Sequence, residues 1–522
     1  PPMFDKTKKK IALAAIPFTL AGIVLAGCTA TGVAASDSST GTTSVSAAST
    51  SGVDAALTAE EVLAENADAT TVTADEADSS TETTVTLNGE TATIDGTGAS
   101  ADGSTVTITA GGTYRLSGSL TGSVVVEAPD DAVVTIILDG AEITNAAGAA
   151  LSVITADDVA LVLQDGTENA LSDADSYADD AEVNAALYSD ADLTISGEGS
   201  LTVQGNGNDG ITSTDDLKIL SGTITVTAAD DGLRGKDSLT VEGGTVAVTA
   251  GGDGFTSDQT DDATQGYLWI SAGEITVESA GDAFAAATDL VITGGDISAT
   301  SGGGATAELS ADASAKALKG GVYVIVAGGT IQADAADDAL HSDGAVHISE
   351  GDVSVSTGDD GIHAEVALLI DGGTTTVTES TEGIESSAIT IAGGTVDVTA
   401  SDDGLNASSG SGESMQDSGE TITISGGTTT INAEGDGFDS NGSASMSAGT
   451  LTIWGPARDG NGAIDVNGTF DVTGGTLLAA GSAGMAATPS TDSAQGWVFA
   501  TASGQVGSTV QILSGGEVVA DY

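Results

Sequence analysis

Apolar and polar residues alternate along most of this chain in short runs, and pairs of glycines separate the runs. In residues 239–241 and 245–249 every second side chain is a large apolar one, with a Gly-Gly pair between the two segments. Residues 389–398 and 422–431 repeat the arrangement. Alternation of this kind is typical of half-buried β-strands, and no helical period competes with it. The pattern predicts an all-β protein built from short strands.

An acidic corner closes each pair of strands and returns about every 22 residues. Because no long helical segment separates the strands, the chain cannot form βαβ crossovers and is expected to coil on itself. Equivalent residues of successive coils then stack about 4.8 Å apart. We therefore predict a right-handed parallel β-helix with coils of about 22 residues. The corners are Asn208-Asp209-Gly210, Asp230-Asp231-Gly232, Gly252-Asp253-Gly254, Asp337-Asp338-Ala339, Asp359-Asp360-Gly361, Thr381-Glu382-Gly383, Asp402-Asp403-Gly404 and Gly435-Asp436-Gly437.

The residue that follows each corner is large and apolar, so its column is predicted to face the core. Extra residues around 258–265, 304–317 and 408–418 fall between a corner and the next strand. Insertions on one edge of a solenoid build a rim, which is a usual place for a binding face. The residues of the apolar column are Ile211, Leu233, Phe255, Leu340, Ile362, Ile384, Leu405 and Phe438.

The stacked acids of the corners need a physical explanation. Two carboxylates about 4.8 Å apart repel by roughly 3 kcal/mol at an effective dielectric constant near 20. Calcium would offset this repulsion, because it takes six to eight oxygen ligands and glycine lets a ligand loop turn sharply. Alternatively, Asp-Gly is a favoured turn in which the carboxylate bonds to nearby amides. The candidate calcium ligands are Asp209, Asp230, Asp231, Asp253, Asp337, Asp338, Asp359, Asp360, Asp402, Asp403 and Asp436.

A second column, three residues after the corner acid, is chemically mixed. His341 and His363 lie one coil apart in this column, and Glu385 follows in the next coil. A transition-metal site would need a third convergent ligand, for which Glu385 is a candidate. Exposed polar side chains without a metal are the alternative. The column consists of Thr212, Arg234, Thr256, His341, His363, Glu385, Asn406 and Asp439.

The beginning of the chain predicts secretion and a lipid anchor. Four lysines precede an apolar run that ends in Leu25-Ala26-Gly27-Cys28, which matches the lipobox of bacterial lipoproteins. We expect a signal peptide over residues 1–27, with lipidation of Cys28 on the extracellular face of the bacterial membrane. Residues 28–82 are rich in Ser, Thr and Ala and are predicted to form a disordered tether. The β-helix would then occupy residues 83–522.

The charge of the chain excludes nucleic acid as a partner. There are 77 acidic and 11 basic residues, and the formal net charge is −66. Phosphate binding needs clustered Lys and Arg, which such a chain lacks. The predicted contact with a membrane is through lipid on Cys28 alone, and nothing in the sequence implies an oligomer.

Three segments in order carry a family resemblance: residues 106–120, residues 133–140 and the Asp-Asp-Gly coils. Over about residues 85–500 the chain resembles a bacterial family of carbohydrate-binding β-helices whose members look like polysaccharide lyases. The resemblance implies a calcium-containing right-handed β-helix that binds plant cell-wall polysaccharide, such as cellulose or a pectic polymer, without established cleavage. It also implies metal-ligand roles for acidic corners; the corner at Glu382 departs from the pattern. The implied ligands are Asp231, Asp253, Asp338, Asp360 and Asp403.

Enzymatic activity is the first alternative to binding alone. A polysaccharide lyase would need calcium together with a Lys or Arg base. Arg234 and Lys236 flank the corner of Asp231 and would supply this base. In a protein that only binds, the same two residues would pair with a pectic carboxylate.

Sugar binding usually involves aromatic faces, and the register points to four of them. Trp269 and Trp454, together with Tyr267 and Tyr323, align with exposed or turn positions and are candidate sugar platforms. Packing at a strand edge would explain such aromatic residues equally well. A surface adhesin or spacer without any sugar site is the remaining function class. We expect a surface-anchored, calcium-stabilised β-helix that binds carbohydrate without cleaving it.

Overall fold

Most of the short strands pair in parallel with a strand of the next coil. Thr223 pairs with Thr245, and Thr245 pairs with Glu274, so equivalent residues stack along the axis. The computed structural model describes residues 53–72, 82–178, 180–310, 313–409, 416–458, 460–505 and 507–521. Over these residues the strands form three long walls around an apolar core. The prediction of a parallel β-helix is confirmed.

Wall 1 begins at the acidic corners, and its short strands form a sheet of their own. The first two strands are antiparallel, and the rest pair in parallel along the axis. The strands of wall 1 are Ala99–Asp102, Thr105–Ile108, Ser123–Glu127, Leu151–Thr155, Ala185–Ser189, Asp209–Ser213, Leu233–Gly235, Phe255–Ser257, Phe284–Ala286, Leu318–Gly320, Leu340–Ser342, Ile362–Ala364, Ile384–Ser386, Leu405–Ala407, Phe438–Ser440 and Asp465–Val466.

Wall 2 follows wall 1 in each coil, and wall 3 follows wall 2. The strands of wall 2 are Asp158–Leu163, Asp192–Gly197, Asp216–Ile219, Ser238–Val241, Tyr267–Ile270, Asp289–Ile292, Ala367–Ile370, Ala388–Ile391, Thr421–Ile424, Ser443–Met446 and Phe470–Val472. The strands of wall 3 are Glu168–Ser172, Ser200–Gly205, Thr223–Ala228, Thr245–Ala250, Glu274–Ser279, Asp296–Ser301, Thr374–Glu379, Thr395–Ala400, Thr428–Ala433, Thr450–Trp454 and Thr476–Ala480.

Some longer strands run through both wall 2 and wall 3 and join them into one sheet. Examples in mid-chain are Tyr323–Ala335 and Ala345–Thr357, which pair with strands of both walls. Near the start of the solenoid the strands are Glu82–Gly89, Ala92–Asp95, Gly112–Thr121 and Val133–Thr144. An antiparallel pair, Gln511–Ser514 and Glu517–Asp521, forms a separate two-stranded sheet.

The column that follows the corners is buried, as the alternation predicts. Leu233 and Phe255 are fully buried, and the rings of Phe255 and Phe284 stack with their centroids 4.8 Å apart. This distance equals the spacing of stacked strands, so each ring packs on the one from the neighbouring coil. Fully burying one such side chain contributes about 1.5–3 kcal/mol, and the column repeats this gain in every coil.

Residues 53–72 are ordered, so the prediction of a disordered tether over 28–82 is wrong for this segment, which we call the strap. It contains the helix Ala59–Glu65, whose first turn is closed by a capping box of Thr58 and Glu61. Ala59 and Val62 of this helix pack against Val291 and Ile325 on the outside of wall 2. The physical reason is that these outward positions are apolar here, so the strap has apolar surface to cover.

Hydrogen bonds fix the rest of the strap across several coils of wall 2. The Asn66 side-chain amide donates to Asp289 at 3.0 Å, and Tyr267 donates its hydroxyl to the carbonyl of Ala67 at 2.8 Å. Further along, the Lys218 ammonium donates to the carbonyl of Ala69 at 3.2 Å. The strap therefore lies along the solenoid axis and contacts strands that are far apart in sequence.

The predicted signal peptide and the lipidation residue Cys28 lie outside the described residues. Among the residues described, no helix combines the length and the apolar character needed to cross a bilayer. The boundary of the β-helix at residue 83 stays a prediction.

Replacing Val62 with Asp should detach the strap, because a carboxylate cannot be buried against Val291 and Ile325 without a partner. We expect faster proteolytic cleavage within residues 53–72 and a red shift in the fluorescence of Trp269, which the strap packs against. Mass spectrometry of timed digests and emission spectra measure the two effects.

The matched control is Ala64→Asp, which places the same charge on the exposed side of the same helix. Equal cleavage rates for Val62→Asp and Ala64→Asp would contradict the docking of the strap on wall 2.

Candidate metal and carbohydrate sites

Five of the corner carboxylates accept a hydrogen bond from a backbone amide of the next coil. Asp209 accepts from the amide of Asp231 at 3.3 Å, Asp231 from Asp253 at 2.9 Å, and Asp253 from Asp282 at 2.7 Å. Further along the solenoid, Asp338 accepts from Asp360 and Asp403 accepts from Asp436. One oxygen of each of these carboxylates is therefore bonded to a backbone amide, as the turn alternative expects. The amide belongs to the next coil rather than to the same turn.

Glycine makes room for a pair of carboxylates at two places in this ladder. A Cβ on Gly252 would lie 2.5 Å from Oδ1 of Asp230 and 2.6 Å from Oδ1 of Asp231, closer than real Cβ atoms come. Two carboxylate oxygens therefore meet at a point that only glycine leaves open. We call the group of Asp230, Asp231 and Asp253 the first cradle.

The second cradle has the same construction at Gly435. A Cβ on this residue would collide with one carboxylate oxygen of Asp402 and one of Asp403. The group of Asp402, Asp403 and Asp436 forms the second cradle. The sequence signal shared by both cradles is Asp-Asp-Gly-Leu in one coil and Gly-Asp-Gly-Phe in the next.

A third pair of acids already has a cation from the protein itself. Asp359 occupies the register position that Gly252 has in the first cradle. The Lys316 ammonium lies 2.8 Å from Asp337 and 2.9 Å from Asp338. Although burial opposes ionisation, His341 and Lys316 hold the pKa of Asp338 down at about 2. Asp337 and Asp338 are therefore poorer metal ligands than the cradle acids.

Two acids of each cradle, Asp231 with Asp253 and Asp403 with Asp436, have raised pKa values, chiefly because they are buried. Burial, together with the charges of Asp282 and Asp231, raises the pKa of Asp253 to about 6. Burial and the nearby acids Asp439 and Asp402 raise the pKa of Asp403 to about 8. Both cradles therefore hold carboxylates whose ionised form is costly without a cation. Carboxylate oxygens gathered in this way suit a hard divalent cation.

The predicted ligands thus fall into several groups. Asp209 stands outside the cradles, where Thr212 donates to it at 2.9 Å and burial raises its pKa to about 6. Asp360 lies beside His363, with 3.0 Å between Oδ2 and Nδ1. The remaining candidates belong to the two cradles or to the group around Lys316.

Of the four predicted sugar platforms, three lie beneath the strap. Tyr267 is 4% exposed, and Trp269 and Tyr323 pack against the cluster that the strap helix forms with wall 2. The register does direct Trp269 outward, but residues 53–72 cover it. These three aromatic residues are not open to a sugar while the strap is docked.

Trp454 differs from the other three, since it is 41% exposed at the end of a strand of wall 3. It lines a shallow groove of about 430 Å³ that crosses four neighbouring strands of this wall. Glu379, Asn432 and Glu434 are among the polar residues of the groove. An aromatic face beside amide and carboxylate groups offers both stacking and hydrogen bonds to a sugar.

Comparison with known proteins decides the family. A family model described as "Carbohydrate-binding domain-containing protein" matches residues 102–361 and 359–461. The chain belongs to this carbohydrate-binding domain family. A relative of the same description from Acetivibrio thermocellus is 41% identical over 128 residues, which are 24% of this chain and 45% of the relative. The chain therefore spans less than half the length of that curated relative.

One solved structure is also similar, the polysaccharide lyase-like protein from C. thermocellum in a gadolinium derivative. It is 35% identical to this chain, and the match covers 41% of the chain and 90% of the solved one with a TM-score of 0.41.

The two basic residues predicted as a possible catalytic pair are in different situations. The Arg234 guanidinium lies 2.5 Å from a carboxylate oxygen of Asp258. Lys236, half-buried after the strand Leu233–Gly235, makes no ion pair among the residues the structure describes. Arg234 is thus engaged by an acid of its own rather than open to a substrate.

The raised pKa values predict how stability depends on pH when divalent cations are removed. Asp253 and Asp403 hold a proton more tightly in the folded state than in the unfolded state, where an Asp pKa is about 3.9. Their contribution is complete below that value and is lost as the pH rises through about 6 and about 8. We therefore expect the melting temperature in chelator to fall between pH 5 and pH 9, as measured by circular dichroism.

Asp403→Asn should remove much of this fall above pH 7, because the amide cannot ionise. Asp397→Asn, at an exposed position of wall 3, removes the same charge and is the control. Identical melting curves for the two variants across this range would contradict the ionisation cost assigned to Asp403.

Proposed function

We propose that this chain binds plant cell-wall polysaccharide at the bacterial cell surface, without cleaving it, on a β-solenoid that calcium stabilises. Membership of the carbohydrate-binding domain family supports a polysaccharide partner. The observation that carries the proposal is the exposed face of Trp454 in the groove of wall 3. The anchoring of the protein through lipid on Cys28 belongs to the same proposal.

The charges of the groove favour a neutral polymer. Glu379 and Glu434 line it, and the one ion pair described for them joins Glu434 to the exposed Arg458 at 3.3 Å. Carboxylates accept hydrogen bonds from sugar hydroxyls but repel the uronate groups of a pectic chain. Of the two polymers that the sequence leaves open, cellulose therefore fits this groove better than polygalacturonate.

Calcium is the ion we assign to the two cradles. In each, carboxylate oxygens of two adjacent aspartates converge on the glycine of the next coil, and the aspartate that follows this glycine in sequence is the third candidate ligand. All these ligands are oxygens, which is the preference of calcium and magnesium; the larger calcium ion tolerates irregular geometry better. Bound calcium would offset the mutual repulsion of the cradle acids and tie successive coils together.

The state of Arg234 supports binding without cleavage. A lyase base has to approach the substrate unprotonated, whereas the ion pair with Asp258 favours the charged guanidinium. Lys236 follows a strand of wall 1, whereas the groove crosses strands of wall 3. The candidate base and the candidate sugar site therefore lie on different walls.

Trp454→Ala should weaken binding to cellulose by roughly tenfold, which corresponds to about 1.4 kcal/mol, because the stacking surface is lost. Depletion of the protein from solution by microcrystalline cellulose measures the affinity. Polygalacturonate is tested in parallel, with absorbance at 235 nm reporting any unsaturated product.

The matched control is Trp497→Ala, which removes another exposed tryptophan outside the groove. Retention of full affinity by Trp454→Ala would refute the groove as the sugar site. Rising absorbance at 235 nm would refute binding without cleavage and favour a lyase.

Calcium should raise the melting temperature of the chelator-treated protein, and the rise should shrink in Asp231→Asn and Asp403→Asn, which each remove one cradle ligand. Differential scanning calorimetry at several calcium concentrations measures the effect, since a ligand of the folded state stabilises it by mass action.

Asp337→Asn is the control for the cradles, because Asp337 faces Lys316 in place of an ion. A melting temperature unaffected by calcium, or a rise that Asp231→Asn and Asp403→Asn leave intact, would count against calcium in the cradles.

A further inference from the structure

The outward column of wall 1 brings a histidine and several carboxylates together outside the two cradles. His341 pairs with His363, His363 with Glu385, and Glu385 with Asn406 in the registers of successive strands. Ligand atoms of Asp360, His363 and Glu385 lie within 4.8 Å of one another. Ligand atoms around one zinc ion lie roughly 3.4 Å apart, so shifts of up to about 1 Å would bring all three within reach of one ion.

His363 is held in place by the corner acid of its own coil. Its Nδ1 atom lies 3.0 Å from Oδ2 of Asp360, and its ring centroid lies 5.1 Å from that of His341. The side chain is 21% exposed, so the ring is accessible from solvent. An imidazole oriented by a carboxylate is a common element of metal sites, either as a ligand pair or with the acid in the outer shell.

The coil before this group has cations of its own, whereas the group does not. Asp338 contacts His341 at 2.8 Å and the Lys316 ammonium at 2.9 Å, so the negative charge of that coil is compensated. In the described residues, no ion pair joins a Lys or Arg to Asp360, Glu382 or Glu385. Three carboxylates therefore gather around His363 without a permanent cation.

An unsatisfied buried atom lies at the same place. Asn406 is 8% exposed, and its side-chain amide nitrogen donates to Glu382 at 2.6 Å. Its side-chain oxygen is buried without any hydrogen-bond partner among the described residues. Such orphaned acceptors are rare in folded proteins and call for a missing partner. A cation between the neighbouring carboxylates would supply one, because amide oxygens coordinate metal ions.

We propose that Asp360, His363 and Glu385 bind one divalent transition-metal ion of the zinc type, supported by Glu382 and Asn406. Imidazole nitrogen combined with carboxylate oxygen suits zinc, whereas calcium prefers oxygen alone. The site is therefore chemically distinct from the two cradles. It adds a second kind of ion to the solenoid and joins three successive coils of wall 1.

The test uses the full chain, purified without a polyhistidine tag and stripped with chelator. Zinc is titrated by calorimetry in excess calcium, which occupies the cradles, and cobalt is titrated as a probe whose visible absorption reports ligation. We expect one zinc ion per chain. His363→Ala and the nearly isosteric Glu385→Gln should each weaken zinc binding by at least roughly tenfold and remove the cobalt absorption.

His341→Gln is the matched control and should keep the affinity for zinc, since His341 is engaged by Asp338 and Asp343. Circular dichroism shows whether each variant is folded, and Glu385→Gln tests the site even where His363→Ala fails to fold. Unchanged zinc binding in Glu385→Gln, or displacement of zinc by calcium alone, would overturn the proposal. Because the calcium effect on melting is measured separately on Asp231→Asn, failure of either assignment leaves the other testable.

Discussion

Parallel pairing in register is the constraint on which this structure depends. Because equivalent residues stack about 4.8 Å apart, whatever one coil carries at a position is multiplied along the axis. Apolar positions gain from this, as the stacked rings of Phe255 and Phe284 show. Acidic positions are destabilised by the same stacking, because each new coil places another negative charge next to the previous one. The acidic corners are where the same geometry needs compensation.

The chain compensates its stacked acids in more than one way. One oxygen of a carboxylate such as Asp231 accepts a hydrogen bond from the amide of Asp253 in the next coil. This bond offsets part of the repulsion between the stacked carboxylates. At Asp337 and Asp338 the ammonium of Lys316 supplies a positive charge from the protein. In the two cradles no Lys or Arg among the described residues forms an ion pair with a cradle acid, and the pKa values of Asp253 and Asp403 are raised. This difference between otherwise equivalent corners is what separates candidate ion sites from structural turns.

The sequence predicts the parts that follow from period and register. Alternation places Leu233 and Phe255 in the core, and recurrence places the acids in one column, because both depend only on local spacing. It could not predict that Lys316, which lies in an insertion of irregular length, contacts the corner of Asp338 in the next coil. Nor could it predict the strap: Val62 belongs to a short apolar set whose target, Val291, is more than 200 residues away. Both depend on contacts that no local pattern encodes.

Because of the strap, an aromatic residue whose register directs it outward is not necessarily open to a sugar. Trp269 and Trp454 both project from the sheet that walls 2 and 3 share, yet one lies under residues 53–72 and the other lines an open groove. Wall 1 carries the acidic corners, and the strap occupies much of wall 2. Among the described surfaces, wall 3 thus combines an exposed aromatic face with regularly spaced polar side chains over several coils. A long polymer can follow such a surface along the axis, because each coil presents a similar set of groups at nearly constant spacing.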